Sequence, residues 1–251
     1  MDPPISPTPP RDVSPPTWQR RTTATRDANS VRFHPEYCET SVTEPLPHEI
    51  TSVDELRAVL GEPRPAQLTK CLPRLDDHCR RWIASSPFVV ICSADGAGRM
   101  DVSPKGDPPG FVQVLDDTTL VVPDRPGNKR FDTFANILEN PRVAIVFLVP
   151  GRDETLRVGG TASISTDPDL LATMEVQGRP PRLALVVHVD EAMFHCGKSM
   201  IRSGLWEPDR WPEVDHLASY AECLADQARP DETVEEMEIR FATWRDGNEM
   251  Y

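Results

Sequence analysis

Positive charge is scarce in this chain: 27 Lys and Arg face 40 Asp and Glu, for a formal net charge of −13. Nucleic-acid binding draws on an excess of cations that displace counterions from phosphates, so that class is excluded. A general attraction to anionic membrane surfaces fails for the same reason. No apolar run approaches the roughly 20 residues of a membrane span. The six cysteines, at 38, 71, 79, 92, 196 and 223, contain no C-x-x-C pair and are irregularly spaced. They read as reduced thiols of a cytosolic protein, not as a disulfide framework or a zinc site. No two of the six histidines stand at i, i+4 around a Glu, so the H-E-x-x-H pattern of a zinc hydrolase is missing. Also missing are the G-x-x-x-x-G-K-[ST] phosphate loop, the G-x-G-x-x-G fingerprint and a nucleophile elbow. No internal repeat is evident. The N-terminal Met1-Asp2-Pro3-Pro4 lacks an apolar h-region, so no secretory signal is expected and a cytoplasmic location is.

Hydrophobic residues are sparse at 38%, while the 27 prolines are about twice the usual share. Both point to a part of the chain that does not pack. Residues 1–30 are rich in Pro, Ser, Thr and Arg and are expected to form a disordered tail. Residues 31–210 carry the alternating and helical patterns of a folded domain. Residues 211–251 are acidic, with Val234, Met237, Phe241 and Trp244 at helical spacing, and read as a helical extension.

Within the domain, Ser52-Val-Asp-Glu55 is a capping box that opens a helix closed by Gly61. A second helix follows Pro73, with Leu75, Cys79, Trp82 and Ile83 on one face. The period then changes to that of strands. Phe88–Ser93, Met100–Ser103, Phe111–Leu115, Thr119–Val122, Arg142–Val149, Glu154–Ser165 and Arg182–Phe194 are the β-rich segments, interrupted by helices over Phe131–Glu139 and Asp167–Val176. Short turns join most of them. That predicts an antiparallel barrel or sandwich, because a parallel sheet needs a helix after each strand.

The sharpest local feature is Pro126-Gly127-Asn128-Lys129-Arg130, between a strand and a helix start. Unpaired amides at a helix N-terminus and the helix dipole attract anions, and Asn128, Lys129 and Arg130 add donors and charge there. Arg can grip two phosphate oxygens at once, and Arg125 lies close by in sequence. Such turns are also commonly just solvated, and spacing alone leaves both readings open.

Four ordered segments carry a resemblance: Trp82–Ile91; Asp101-Val-Ser-Pro-Lys-Gly-Asp-Pro-Pro-Gly-Phe111; Leu120–Arg130; and Asn136-Ile-Leu-Glu-Asn-Pro-Arg-Val-Ala-Ile-Val-Phe147. Together with Phe194–Trp206 they resemble the pyridoxamine 5′-phosphate oxidase-like, FMN-binding split-barrel family, over roughly residues 50–210. The resemblance implies a mainly β, α+β fold: a six-stranded antiparallel split β-barrel with peripheral helices. It implies an FMN-dependent oxidoreductase acting on a small molecule, with hydride passing through flavin N5. It maps the phosphate onto Asn128, Lys129 and Arg130, to which Arg125, close by in sequence, is added as a candidate. Ser103 and Lys105 would lie along the isoalloxazine ring, Lys105 favouring the anionic reduced flavin. Members are usually homodimers with flavin at the interface, so Lys198, Arg202 and Trp206 could reach either subunit's flavin. No metal is implied.

The chain departs from pyridoxamine phosphate oxidases proper in its acidic C-terminal end, which stands where a Trp/Arg-rich, substrate-gripping segment belongs. Vitamin B6 oxidation is therefore not expected. The alternatives are a non-catalytic flavin carrier, a haem binder with His195 as the candidate ligand, or a deazaflavin-binding protein. Residue patterns single out no catalytic side chain. Asp76-Asp77 and Asp116-Asp117 read as surface or turn residues, because neighbours on a helix point apart. Cys196 reads as a small hydrophobe at a strand end.

Overall fold

The structure, a computed structural model, describes residues 47–228 and 230–245; the expected tail over 1–30 lies outside them. Alternation organises the sheet. In β1 (Phe88–Ala94), Val89, Ile91 and Ser93 are buried and the residues between them are half-buried, as expected for a strand with one face on a core. A tight turn returns the chain antiparallel into β2 (Met100–Gly106), with Ile91 opposite Ser103 and Val89 opposite Lys105. Asp95 builds that turn. Its carboxylate accepts the amides of Ala97 and Arg99, each at 2.9 Å, and Arg99 Nε at 2.6 Å.

The remaining strands are β3 (Gln113–Val114), β4 (Thr119–Pro123), β5 (Arg142–Leu148), β6 (Thr155–Ser165) and β7 (Ala184–His195). All pair antiparallel in the order β2-β1-β5-β6-β7-β4-β3. The expected antiparallel α+β class therefore holds. The seventh strand is β3, a two-residue ladder where the sequence suggests a longer arm over 111–115.

The sheet is rolled, not flat. At the usual strand spacing β2 and β4, five steps apart, would sit about 24 Å from each other if it were flat. Yet Asp107, one residue past β2, accepts from the Nε of Arg125, two residues past β4, at 2.6 Å. The Asp107 side chain is 1% exposed and that of Arg125 15%. A second device bends the long strands: the register of β6 on β7 shifts between Gly159 and Gly160. A Cβ on Gly160 would lie 2.0 Å from the carbonyl oxygen of His188, so only glycine permits the approach.

Inside the roll, fully buried Phe147, Ile91, Ile145, Leu120 and Leu156 meet Leu75 and Ile83. Each such side chain contributes about 1.5–3 kcal/mol by leaving water. β4 is buried on both faces, because its outward Val121 packs under Leu171 and Met174 around α5 (Pro168–Ala172). Around the sheet lie α1 (Val53–Leu60), α2 (Pro65–Thr69), α3 (Asp77–Ser85), α4 (Asp132–Glu139) and α6 (Lys198–Ser203). Ser52 caps α1 through Glu55 N at 3.2 Å and Gly61 ends it at φ +77°, as its sequence predicts.

The acidic C-terminal part forms two helices, α7 (Tyr220–Ala228) and α8 (Val234–Arg245). Each starts at a reciprocal capping box, Ser219 with Glu222 and Thr233 with Glu236. Ala221 and Met237 are fully buried, and the Tyr220 and Phe241 rings stand 5.1 Å apart.

Candidate functional site

Register places Asp101, Ser103 and Lys105 on the same sheet face as the buried Ser93, Ile91 and Val89, so these polar residues point toward the interior of the roll. They stay only half-buried because β2 is an edge strand. α4 covers this inward face. Thr133 Oγ1 donates to Asp101 Oδ2 at 2.8 Å, Asn136 Nδ2 donates to Ser93 Oγ at 3.0 Å, and Lys105 Nζ stands 5.9 Å from the centre of the Phe134 ring. Buried Thr133 and Ile137 anchor the helix.

The turn that leads into α4 is therefore set beside Ser103 and Lys105. Its backbone is unusual. Lys129 and Phe131 adopt left-handed φ values of 58° and 62°, on either side of Arg130. Such residues cost about 1–3 kcal/mol each and persist where the surroundings impose them. Phe131 is the N-cap of α4 and offers no side-chain acceptor, so no side chain caps the amides of the helix's first turn. Arg130 N donates to Asn128 Oδ1 at 3.0 Å, and Arg130 Nε donates to Asp132 Oδ2 at 2.6 Å. That bond, then the charge of Asp132 and last that of Asp101, hold the Arg130 pKa above its ordinary value. Asn128, Lys129 and Arg130 are all exposed.

Between this turn and β4, Asp124 is half-buried, and burial pushes its carboxyl pKa up against the pull of Lys105 and Arg125. The structure thus gathers Ser103, Lys105, Asn128, Lys129 and Arg130 around one end of α4. It puts Arg125 to another use: Nε goes to Asp107, and Nη2 donates to the carbonyl of Met174 at 2.9 Å. The sequence places Arg125 near the turn but gives no sign of Asp107, 18 residues away, as its partner. Asp101, Asp124 and Asp132 are also absent from the sequence-predicted set. The position of Asp132 in the first turn of a helix after two cations was the one available signal.

Lys198, Arg202 and Trp206 lie elsewhere in the same chain. Ala184 at the start of β7 pairs with Pro123, just before the turn, whereas His195 at its end leads into α6. Eleven residue steps of strand, about 36 Å at the usual rise, separate the two ends. Trp206 stays at the far end, donating its indole N–H to the Arg152 carbonyl at 2.9 Å. Lys198 and Arg202 are exposed, and so are His195 and Cys196. A cleft of about 430 Å³ between α3 and residues 110–115, walled by Ile83, Val112, Val114 and Leu115, includes none of the expected site residues. Among the described residues no His, Cys, Asp and Glu cluster could hold a metal ion, and no helix is long and apolar enough to cross a membrane.

Residues 75–196 match the family model described as Pyridoxamine 5′-phosphate oxidase. No curated protein matches the chain. Solved structures similar to it include HupZ of Group A Streptococcus, 22% identical with a TM-score of 0.40, covering 48% of this chain and 93% of that one. General Stress Protein 26 of Bacillus anthracis is 16% identical with a TM-score of 0.35, over 47% and 93%. The haem storage protein HutZ of Vibrio cholerae is 16% identical with a TM-score of 0.34, over 49% and 94%.

Proposed function

Through residues 75–196 this chain belongs to the pyridoxamine 5′-phosphate oxidase family, and from that membership we propose that it binds FMN and acts as an oxidoreductase on a small molecule. One observation carries the reading: the cationic turn Asn128-Lys129-Arg130 and the side-chain-uncapped start of α4 stand beside the inward face of β2, where Ser103 and Lys105 point. The donor set fits a flavin phosphate. Two cations, an Asn and first-turn amides meet at one point, and backbone amides at a helix start suit a phosphate monoester.

When bound, the flavin supplies hydride transfer, so the protein needs no nucleophile of its own. Lys129 and Arg130 bind the phosphate. Ser103 offers a hydroxyl along the ring. Lys105, beside Phe134, supplies a positive charge that favours an anionic reduced ring. Arg125 is a strut of the roll through Asp107.

The active unit is a cytoplasmic homodimer with flavin at its interface. The outward face of β2, β1 and β5 supports this: Met100 and Val102 are 69% and 61% exposed, beside Val90, Cys92, Ala144 and Val146, and the charge of Arg142 on β5 is paired with Asp190. Lys198, Arg202 and Trp206, remote from the turn within one chain, would then complete the partner's site.

The purified protein is expected to be yellow and to release FMN on denaturation, identified by absorbance and mass. A Soret band, or a colourless protein that ignores added FMN, would sink the reading. Lys129→Ala with Arg130→Ala should abolish flavin retention, since each charge-assisted bond contributes about 1.5–3 kcal/mol.

A further inference from the structure

Asp132 is a carboxylate in direct contact with the cationic turn. It opens α4, its side chain is 23% exposed, and its Oδ2 accepts from Arg130 Nε at 2.6 Å. An anion there can act in two opposed ways. It can compete with an incoming phosphate for the arginine, or hold the arginine where the phosphate needs it.

The local geometry favours holding. Arg130 is held through its amide to Asn128 Oδ1 and through its guanidinium to Asp132, between two residues whose left-handed backbone fixes the path of the turn. Asp132 is itself fixed by its place in the first turn of α4, which Thr133 and Asp101 pin to β2 at 2.8 Å. It also lies where the helix dipole favours a negative charge, which offsets part of its repulsion of an incoming phosphate. An arginine immobilised beforehand spares a ligand the cost of ordering it.

We propose that Asp132 is a positioning residue that preorganises Arg130 for the terminal phosphate, and so sets the preference of the site for FMN over riboflavin. The inference rests on the reading of the turn as a flavin phosphate site. Riboflavin shares the ring and lacks the phosphate, so the ratio of the two affinities isolates the contribution of the turn. Asp132→Ala removes both the acceptor and the charge. Asp132→Asn keeps an acceptor oxygen for Arg130 Nε and removes only the charge.

The test measures the Kd of FMN and of riboflavin for the full-length wild type and both variants, with far-UV circular dichroism as the check on folding. Asp132→Ala is expected to bind FMN roughly five- to tenfold more weakly, within the roughly two- to twelvefold that ordering one long side chain spans. Its riboflavin affinity should be unchanged, and Asp132→Asn should stay within about twofold of wild type. Tighter or unchanged FMN binding by Asp132→Ala would make Asp132 a competitor or a bystander and overturn the proposal. Equal weakening of both flavins would assign it a purely structural role and overturn it too. A wild type that binds neither flavin overturns the reading of the site itself, an outcome distinct from either.

Discussion

Asp124 is the residue whose ionisation the fold resists. Burial raises its pKa above the ordinary value of 3.8, and the nearby Lys105 and Arg125 only partly offset this. The sign follows by linkage. For an acid with a raised folded pKa, ionisation disfavours the folded state. The penalty is absent below the unfolded value and complete once the pH exceeds the folded one. Asp124→Asn should therefore raise Tm at pH 7, and the gain should shrink as pH falls into the ordinary carboxylate range. A thermal melt series between pH 7 and pH 4 checks this, and a loss of Tm at every pH would show that the carboxylate is needed in its charged form. Asp76 behaves in the opposite sense: its bond from the Cys79 amide lowers its pKa, so its contribution is present at neutral pH and is lost as pH falls through the folded value. These two carboxylates were indistinguishable in the sequence. Burial separates Asp124, and a helix cap separates Asp76.

The curl of the sheet depends on two elements that side chains and glycine define. Asp107→Ala leaves the Arg125 guanidinium, 15% exposed, without its carboxylate, and breaking such a buried pair costs about 3–5 kcal/mol. Chemical denaturation should report that loss, and an effect below about 1 kcal/mol, the scale of surface pairs, would mean that the roll closes without the tie. Gly160→Ala should cost at the upper end of the roughly 1–3 kcal/mol of overpacking, because the new methyl meets backbone. A melt indistinguishable from wild type would show that the β6–β7 irregularity is tolerant. Sequence made other elements legible. The Ser52 capping box, the helix of Cys79 and Ile83, and the period-two run from Phe88 carry their signals within a few residues. The five-residue α2 and six-residue α6 do not, since they are too short to show a helical period. Nor did the candidate site emerge whole. The turn and the strand of Ser103 and Lys105 were readable, but Asp107 with Arg125 and Asp101 with Thr133 are contacts across 18 and 32 residues, formed only once the sheet has curled.

At the scale of the molecule, charge and apolar surface are unevenly spread among the described residues. Positions 207–245 hold eleven acidic and four basic residues, while the outward face of β2, β1 and β5 has neither Met100 nor Val102 covered. If that face seats a second copy, Val102→Asp should give a monomer by light scattering and release flavin with it. A dimer that survives the substitution would move the interface elsewhere. The sheet order has a further consequence, in time. β4 finds its main partner, β7, about sixty residues downstream, and at 5–20 residues per second that strand follows about 3–12 seconds later on the ribosome. Through that interval Leu120, Val121 and Val122 have no partner strand but the two residues of β3, a window in which a chaperone can bind. The turn that follows β4 gains its final support only when β7 arrives, so a flavin bound there as proposed would be captured late in synthesis, once that strand is in place.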